Sequence, residues 1–345
     1  MAVFGGSWAE SVIHQCLKFS FKGEIWPVHP YKKEILGLKC FKDVKDLPGA
    51  PDASFIGINR KQTPKVISQL SKIGAGGAVC FASGFAETNE DDTENQGEYL
   101  QNELIAMAAD MPILGPNCYG AINYLDGALL WPDQHGGRKV SKGVAIITQS
   151  SNIAINLSMQ TRGLPISYII TAGNQAQISQ SEIAYNLLDD ERVTAIGLHV
   201  EGVDNPTLFE KLAKKARKKK IGIIAIKVGK SEAAQAATVS HTASLAGNDA
   251  GANALLNRLG IARVYDLETF LNTLIILHQG GPIFGNSISS MSCSGGEASL
   301  IADLNEDLDL HFSSFNSETK RKLSHILGPL VHISNPLDYQ TYIWH

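Results

Sequence analysis

Short apolar runs alternate with amphipathic stretches along the first third of the chain. The apolar runs cover residues 2–4, 24–28, 54–58, 78–82 and 112–114. Between them, apolar positions recur with helical spacing at residues 9–19, 64–73 and 98–109. Strands that alternate with helices of this length predict right-handed βαβ units and a mostly parallel sheet. We therefore interpret residues 1–125 as one α/β domain.

The same pattern starts again after a polar, glycine-rich segment at residues 125–142, which we interpret as an interdomain connection. The predicted strands of this second part are residues 143–148, 166–171, 195–201 and 221–228, and helices are expected near 179–188, 206–218, 249–259 and 267–278. A third unit begins after Gly280-Gly281-Pro282, with a predicted strand at 288–292 and a helix at 298–304. The sequence thus predicts an α/β protein whose second and third domains cover residues 140–279 and, as a partial domain, 285–345.

Composition excludes several kinds of function. The chain of 345 residues has a formal net charge of -4, which gives no general attraction to nucleic acid or to anionic membranes. Its five cysteines are scattered without a CxxC pair or a His/Cys cluster, so we expect no metal site and a reducing compartment. No apolar run approaches the roughly 18 residues of a membrane span, so we expect a soluble, cytoplasmic protein.

The first strand ends in Gly5-Gly6-Ser7 and leads into a helix, where free backbone amides can bind a nucleotide pyrophosphate. The second strand ends in His29-Pro30, followed by Lys32, which suits a ligand with an additional phosphate. A solvated turn explains Lys32 equally well. An NAD(P) dehydrogenase is a further alternative, disfavoured because the glycine pattern is incomplete and because no acidic residue follows the second strand.

Two further loops follow predicted strands, Ser83-Gly84-Phe85 and Pro116-Asn117-Cys118. Ligands of open α/β sheets bind beyond the carboxyl ends of the strands, so both loops are candidate walls of one crevice. Tight turns that need their glycines are the alternative.

Two helix starts are candidate anion sites. Ser150-Ser151-Asn152 follows the strand at 143–148, and Ser294-Gly295-Gly296 repeats the arrangement in the third unit. Each helix would present free amides and its positive dipole end to a ligand. Capping without a ligand is the simpler alternative for both.

His241 lies among small and hydroxylic residues, which leave room for a phosphoryl group to approach its ring. Glu201 ends a predicted strand and would orient a neighbouring imidazole, although an ordinary loop acid is the alternative. His199, two residues earlier, is interpreted as a packing or hydrogen-bonding residue.

At His241 the chain resembles the NDP-forming acyl-CoA synthetases, the superfamily of succinyl-CoA synthetase and ADP-forming acetyl-CoA synthetase. The resemblance covers nearly the whole chain, and the segment around His241 is its most specific part. The motifs that carry it are Val3-Phe4-Gly5-Gly6-Ser7, Gly115-Pro116-Asn117-Cys118, Thr148-Gln149-Ser150, Ser240-His241-Thr242-Ala243-Ser244-Leu245-Ala246-Gly247 and Asn335-Pro336-Leu337-Asp338.

The resemblance implies a Rossmann-like CoA-binding domain followed by two flavodoxin-like ligase domains. It also implies that an acid is joined to CoA at the expense of NTP, through an acyl phosphate and a phosphohistidine. His241 would be phosphorylated, Glu201 would be its carboxylate partner, and the phosphate would lie between the helices that begin at Ser150 and Ser294. Mg-ATP or Mg-ADP would bind only to an ATP-grasp partner, in an oligomer.

Two departures from the family pattern stand out. This chain has Ser150-Ser151 where the family has Ser-Gly, and Thr242-Ala243 where the family has Thr-Gly. Both changes retain the backbone N–H groups. A CoA-sensing regulatory module of the same fold is the alternative function, although such modules tend to lack the histidine.

Overall fold

The computed structural model describes residues 1–88, 96–203, 205–234 and 249–341. The chain forms two compact units, Met1–Pro282 and Ile283–His345. Within the described ranges the helices are α1 (Ser7–Lys18), α2 (Thr63–Lys72), α3 (Gln96–Ala108), α4 (Ser151–Ser158), α5 (Gln180–Leu187), α6 (Pro206–Lys219), α7 (Asp249–Leu259), α8 (Leu267–Gly280), α9 (Gly295–Asp303) and α10 (Ser317–Leu327). Of these helices, none combines the length and the apolar character needed to cross a membrane.

The first sheet is parallel and lies within the first 114 residues. The strands of this part are β1 (Ala2–Gly5), β2 (Trp26–Val28), β3 (Glu34–Ile35), β4 (Leu38–Lys39), β5 (Ser54–Gly57), β6 (Ala78–Cys80) and β7 (Ile113–Leu114). Five of them pair in the order β2-β1-β5-β6-β7, while β3 and β4 form a small hairpin. Because the apolar runs of these strands are buried on both faces, α1, α2 and α3 cover the sheet as the alternating pattern predicts.

The second sheet has seven strands. They are β8 (Ala121–Asn123), β9 (Ala128–Leu130), β10 (Gly143–Thr148), β11 (Ile166–Thr171), β12 (Val193–Val200), β13 (Gly222–Lys227) and β14 (Ala262–Val264), in the order β14-β13-β12-β10-β11-β8-β9. The five from β10 to β14 are parallel, and β8 and β9 join the edge in antiparallel orientation. One parallel and one mostly parallel sheet, with helices on their faces, confirm the predicted α/β class.

The segment predicted to connect two domains is itself part of the second sheet. Residues 125–142 include β9, and Trp131 directly after it is fully buried. The core around Trp131 contains side chains of both sheets, for example Phe55 of β5 and Ile146 of β10. One apolar cluster of the first unit therefore extends through both sheets, and two further clusters lie beside it in the described residues.

The second unit is small. Its strands are β15 (Ser287–Ile288), β16 (Met291–Ser292), β17 (His311–Phe312) and β18 (Leu337–Asp338). They form two parallel pairs, β15 with β17 and β16 with β18. The single strand predicted at 288–292 is thus divided into two short ones, and the helix predicted at 298–304 begins earlier, at Gly295.

Candidate functional site

A cavity of about 540 Å³ opens at the carboxyl ends of β1 and β2. Four of the predicted nucleotide-binding residues line it, and so do two lysines that the sequence analysis did not single out. These six residues are Gly5, Gly6, His29, Pro30, Lys42 and Lys65. The cavity therefore combines the glycine turn with two cationic side chains.

A glycine is required at position 5 because β1 and β5 approach each other closely there. Its φ is +130°, and a side chain there would collide with the carbonyl of Gly57 on β5. The turn thus brings bare backbone to the edge of the cavity, as a nucleotide phosphate needs.

Two of the predicted residues lie outside this cavity. Lys32 Nζ is 3.3 Å from a carboxylate oxygen of Glu10 on α1. Ser7 is the first residue of α1 and lines a separate groove. His29 shapes the loop, since its Nδ1 accepts hydrogen bonds from the backbone amides of Tyr31 and Lys32 at 3.2 and 3.0 Å.

A second cavity of about 720 Å³ lies where the carboxyl ends of the two sheets meet. It includes one residue of the Ser83 loop, two of the Asn117 loop and the start of α4. The lining residues are Trp8, Gly57, Ile58, Asn59, Arg60, Phe81, Ala82, Ser83, Asn117, Cys118, Tyr119, Gln149, Ser150, Ser151 and Asn152. Because Gly57, Ile58 and Asn59 also line the first cavity, the two share a wall.

The start of α4 is held in place by its own serines. Ser150 is the N-cap residue, and its Oγ accepts from the amide of Ile153 at 3.5 Å. The Oγ of Ser151 accepts from the amide of Tyr119 at 3.1 Å, which ties the Asn117 loop to α4. Amides of the first turn thus face the cavity with the positive end of the helix dipole.

Cys118 also lines this cavity, but its thiol is not a nucleophile. Burial raises the pKa of Cys118 to about 12, so the sulfur remains protonated at neutral pH. Pro116, two residues earlier, is buried.

The loop at residues 83–85 is fixed by a carboxylate. Glu87 accepts from the amides of Gly84 and Phe85 at 2.5 and 3.1 Å and from Asn174 Nδ2 at 2.5 Å. The guanidinium of Arg60 donates to the carbonyl oxygen of Gly84. Gly84 and Phe85 therefore stabilise the loop rather than line the cavity, and the side chain of Phe85 belongs to the core.

Glu201 is 5% exposed and follows β12 directly. Gln149 reaches it from the end of β10, because its Oε1 accepts from the amides of Glu201 and Gly202 at 2.6 and 3.2 Å. The side chain of Gln149 therefore links the backbone of Glu201 to the segment that leads into α4.

His199 is buried and hydrogen-bonded, as predicted, with Nδ1 3.1 Å from Thr148 Oγ1. Burial, assisted by the charge of Lys227, lowers the pKa of His199 to about 4. Burial is also the main reason why the pKa of a second histidine, His135, is lowered to about 4.

These two histidines predict that acid destabilises the chain. The native protein keeps His199 neutral, whereas the unfolded chain binds a proton below its ordinary pKa of 6.5. The free energy of unfolding should therefore fall between about pH 6.5 and pH 4, with about 3 kcal/mol from His199. Urea denaturation across this range is expected to give a shallower pH dependence for His199→Gln, whereas His14→Gln, at an exposed position on α1, should retain the full slope.

Beside Glu201 lies a chain of buried charges. Lys227, the last residue of β13, is 4% exposed and donates to the carbonyl of Val228. Burial lowers its pKa, an effect that the carboxylates of Asp249 and Glu201 oppose. Arg263 on β14 donates to Asp249 Oδ1 at 2.5 Å, and the exposed fraction of its side chain is 3%.

The second unit contains the other predicted helix start. Ser294 caps α9, and its Oγ accepts from the amide of Glu297 at 3.3 Å. Gly295 begins the helix close to the carboxylate of Asp338. Gly296 follows it within the first turn.

His241, the residue on which the predicted chemistry depends, lies outside the described residues. Its phosphorylation and its relation to Glu201 remain predictions.

Several residues of the site were not predicted from the sequence, although for some of them the sequence contains a signal. Gln149 stands between a buried strand and the N-cap Ser150, a position where side chains face the carboxyl edge of the sheet. Lys227 is a charged residue that ends an otherwise apolar run. For Arg60 and Trp8 the sequence contains no such signal, because only the fold brings them to the cavity.

Comparison with known proteins agrees with this architecture. Residues 1–124 match the family model of a CoA binding domain, and residues 141–277 match that of a succinyl-CoA ligase like flavodoxin domain. Fold and site thus define an α/β protein in which a CoA-binding domain precedes a ligase-type flavodoxin domain.

Proteins that match nearly the whole chain identify the family within this class. The chain is 33% identical to the ADP-forming acetate–CoA ligase of Methanocaldococcus jannaschii, over 98% of this chain and 47% of that one. It is 30% identical to the alpha subunit of ADP-forming acetate–CoA ligase II of Pyrococcus furiosus, over 92% of this chain and 68% of that one. The chain belongs to the NDP-forming acyl-CoA synthetase superfamily.

A solved structure has the same fold. The dinucleotide forming acetyl-coenzyme A synthetase 1 of Ca. Korarchaeum cryptofilum, determined in complex with phosphate and ADP, superposes with a TM-score of 0.84 at 25% identity. The match covers 99% of this chain and 74% of that chain. Against the Methanocaldococcus jannaschii relative, by contrast, the chain spans about half the length.

Proposed function

We propose that the chain is the CoA-binding and phosphohistidine-bearing part of an NDP-forming acid:CoA ligase. The observation that carries the proposal is the pair of cavities with a common wall at Gly57, Ile58 and Asn59. In this proposal, CoA binds with its nucleotide at the Gly5-Gly6 turn and extends its thiol past the common wall. The thiol then reaches the start of α4, where a phosphate or an acyl phosphate binds.

The proposed reaction takes place in two transfers. The carboxylate of the acid attacks the phosphorus of phosphorylated His241, which forms an acyl phosphate and frees the imidazole. The CoA sulfur then attacks the acyl carbon, the bond to phosphate breaks, and the phosphate leaves with the thiol proton. Glu201 orients the imidazole, and the backbone amides of Ser151 and Asn152 bind the phosphate. The amide of Ser150 donates to Thr148 Oγ1 at 3.0 Å, so Ser150 contributes as the cap of α4.

The remaining parts of the reaction lie beyond this chain. We propose an ATP-grasp partner that supplies Mg-ATP or accepts the phosphoryl group on Mg-ADP, because the Pyrococcus furiosus relative is itself named as an alpha subunit. We also propose the start of α9, at Ser294, Gly295 and Gly296, as a phosphate-binding element of the second unit. A cytoplasmic location is supported by the five cysteines, all of which are free thiols.

The first test is binding of CoA, measured by calorimetry. Lys65→Ala should weaken CoA binding about tenfold, because a cation–phosphate contact contributes roughly 1.5–3 kcal/mol. The matched control is Lys72→Ala, which removes an exposed lysine from the same helix outside the cavity. Equal affinities for wild type and Lys65→Ala would contradict the proposed nucleotide site.

The second test is phosphorylation in the reverse direction, which does not need the ATP-grasp partner. The chain is incubated with ³²P-phosphate and a panel of acetyl-CoA, hexanoyl-CoA and benzoyl-CoA, and protein-bound label is measured. Acid-labile, base-stable label supports the ligase. Tight CoA binding with no label under any condition would indicate the CoA-sensing regulatory module instead.

A further inference from the structure

Three aromatic side chains, Trp8, Phe81 and Tyr119, line the cavity of about 720 Å³ on one side. We call them the aromatic wall. The ring centroids of Trp8 and Phe81 are 5.2 Å apart, and those of Phe81 and Tyr119 are 5.7 Å apart. The three rings therefore form a continuous surface rather than isolated contacts.

The aromatic wall is supported from behind by buried rings. Phe55 lies 5.7 Å from Phe81 between centroids, and Trp131 lies 5.4 Å from Tyr119. Both supporting residues are fully buried. Because packed rings fix the positions of Phe81 and Tyr119, the surface is preformed for a flat ligand.

Trp8 differs from the buried rings behind the aromatic wall, because much of its side chain remains exposed. As the second residue of α1 it is 45% exposed, although it contacts Phe81 on one side. A large apolar ring that faces a cavity gains free energy when a ligand covers it. The cavity thus contains exposed apolar surface that a bound ligand would bury.

The cavity also has polar lining residues, and it includes the start of α4, where the proposed phosphate binds. The backbone amide of Tyr119 donates to Ser151 Oγ at 3.1 Å, so the aromatic wall ends beside the start of α4. Asn59, Arg60 and Asn117 also line the cavity. An acyl group whose carboxyl carbon lies at α4 would therefore extend its other end along the rings.

From this arrangement we infer that the acid joined to CoA is an aromatic carboxylic acid, whose ring stacks on the aromatic wall. The inference rests on the proposed ligase function. An aromatic ring packed against these tilted rings makes edge and face contacts that a flexible alkyl chain does not reproduce.

The test compares the affinity of the full chain for CoA, acetyl-CoA, hexanoyl-CoA and benzoyl-CoA by calorimetry. Benzoyl-CoA should bind about tenfold more tightly than CoA or acetyl-CoA, and more tightly than hexanoyl-CoA. Trp8→Ala should remove most of this increment, so that this variant binds benzoyl-CoA and acetyl-CoA with affinities that agree within about twofold. Trp8→Leu, which retains apolar volume, should bind hexanoyl-CoA and benzoyl-CoA alike.

Tyr99→Ala is the matched control, because Tyr99 is 70% exposed on α3 and lines no described cavity. It should retain the preference of wild type. Equal binding of CoA and all three thioesters would overturn the aromatic substrate but leave the ligase proposal intact. Hexanoyl-CoA binding as tightly as benzoyl-CoA would likewise overturn it, and failure to bind CoA at all would overturn both proposals.

Discussion

Protein in which His241 is replaced by alanine should carry no acid-labile phosphate under conditions that label wild type. In the reverse direction of the proposed reaction, the imidazole is the nucleophile that takes the phosphoryl group from the acyl phosphate, and alanine offers no nitrogen to replace it. We expect the label to fall to background, measured as radioactivity that withstands base but is released by acid. This is the largest functional effect expected from a single substitution in the chain.

The control for this experiment is His14→Ala, which removes an exposed histidine from α1. It should be labelled like wild type. CoA affinity measured in parallel should be equal in His241→Ala and wild type, because the proposed CoA site does not include the imidazole. If His241→Ala were labelled as strongly as wild type, the phosphate would reside on another residue and the proposed mechanism would fail.

The sequence predicted the architecture well because the signal is local. Buried parallel strands appear as short apolar runs, and the runs at β1, β5, β10 and β13 lie where they were expected. The loops after β1 and β10 were predicted as ligand loops for the same reason, since ligands of open α/β sheets bind at strand ends. The loop after β5, which contributes the wall common to both cavities, was not predicted. The fold class and the neighbourhood of Ser150 therefore followed from pattern alone.

Interactions that depend on distant residues were not predictable. The polar composition of residues 125–142 indicates a connection, yet β9 pairs with β8 because burial of Trp131 against both sheets outweighs local propensity. Phe85 was grouped with a ligand loop, but its ring packs in the first domain's core. Such outcomes are decided by packing between elements that are far apart in sequence.

The buried charges near Glu201 could not be predicted from the sequence for the same reason. Lys227 and Arg263 are separated by 36 residues, and Arg263 donates to the Lys227 carbonyl at 3.4 Å only because β13 and β14 are adjacent. Asp249, at the start of α7, completes the group. No periodicity in the sequence distinguishes these charges from ordinary exposed ones.

Replacing Asp249 by alanine should destabilise the chain by about 3 kcal/mol, because it leaves the buried Arg263 guanidinium without its carboxylate. The ion pair is close, at 2.5 Å, and the Arg263 side chain is only 3% exposed. The guanidinium also contacts Asn253 at 3.5 Å, the Lys227 carbonyl at 3.4 Å and the ring of Tyr265, but these groups do not neutralise its charge. Urea denaturation followed by tryptophan fluorescence measures the loss.

Two further variants test whether the loss of stability comes from the unpaired buried charge or from removing any carboxylate. Glu210→Ala removes a carboxylate that pairs with Lys214 on the surface of α6, and its stability should match wild type within error because solvent screens that pair. Replacing Asp249 by alanine and Arg263 by methionine together should recover most of the lost stability, since no unpaired charge is then buried. A double variant less stable than Asp249→Ala would mean that Arg263 stabilises the sheet through its stem and not through its charge.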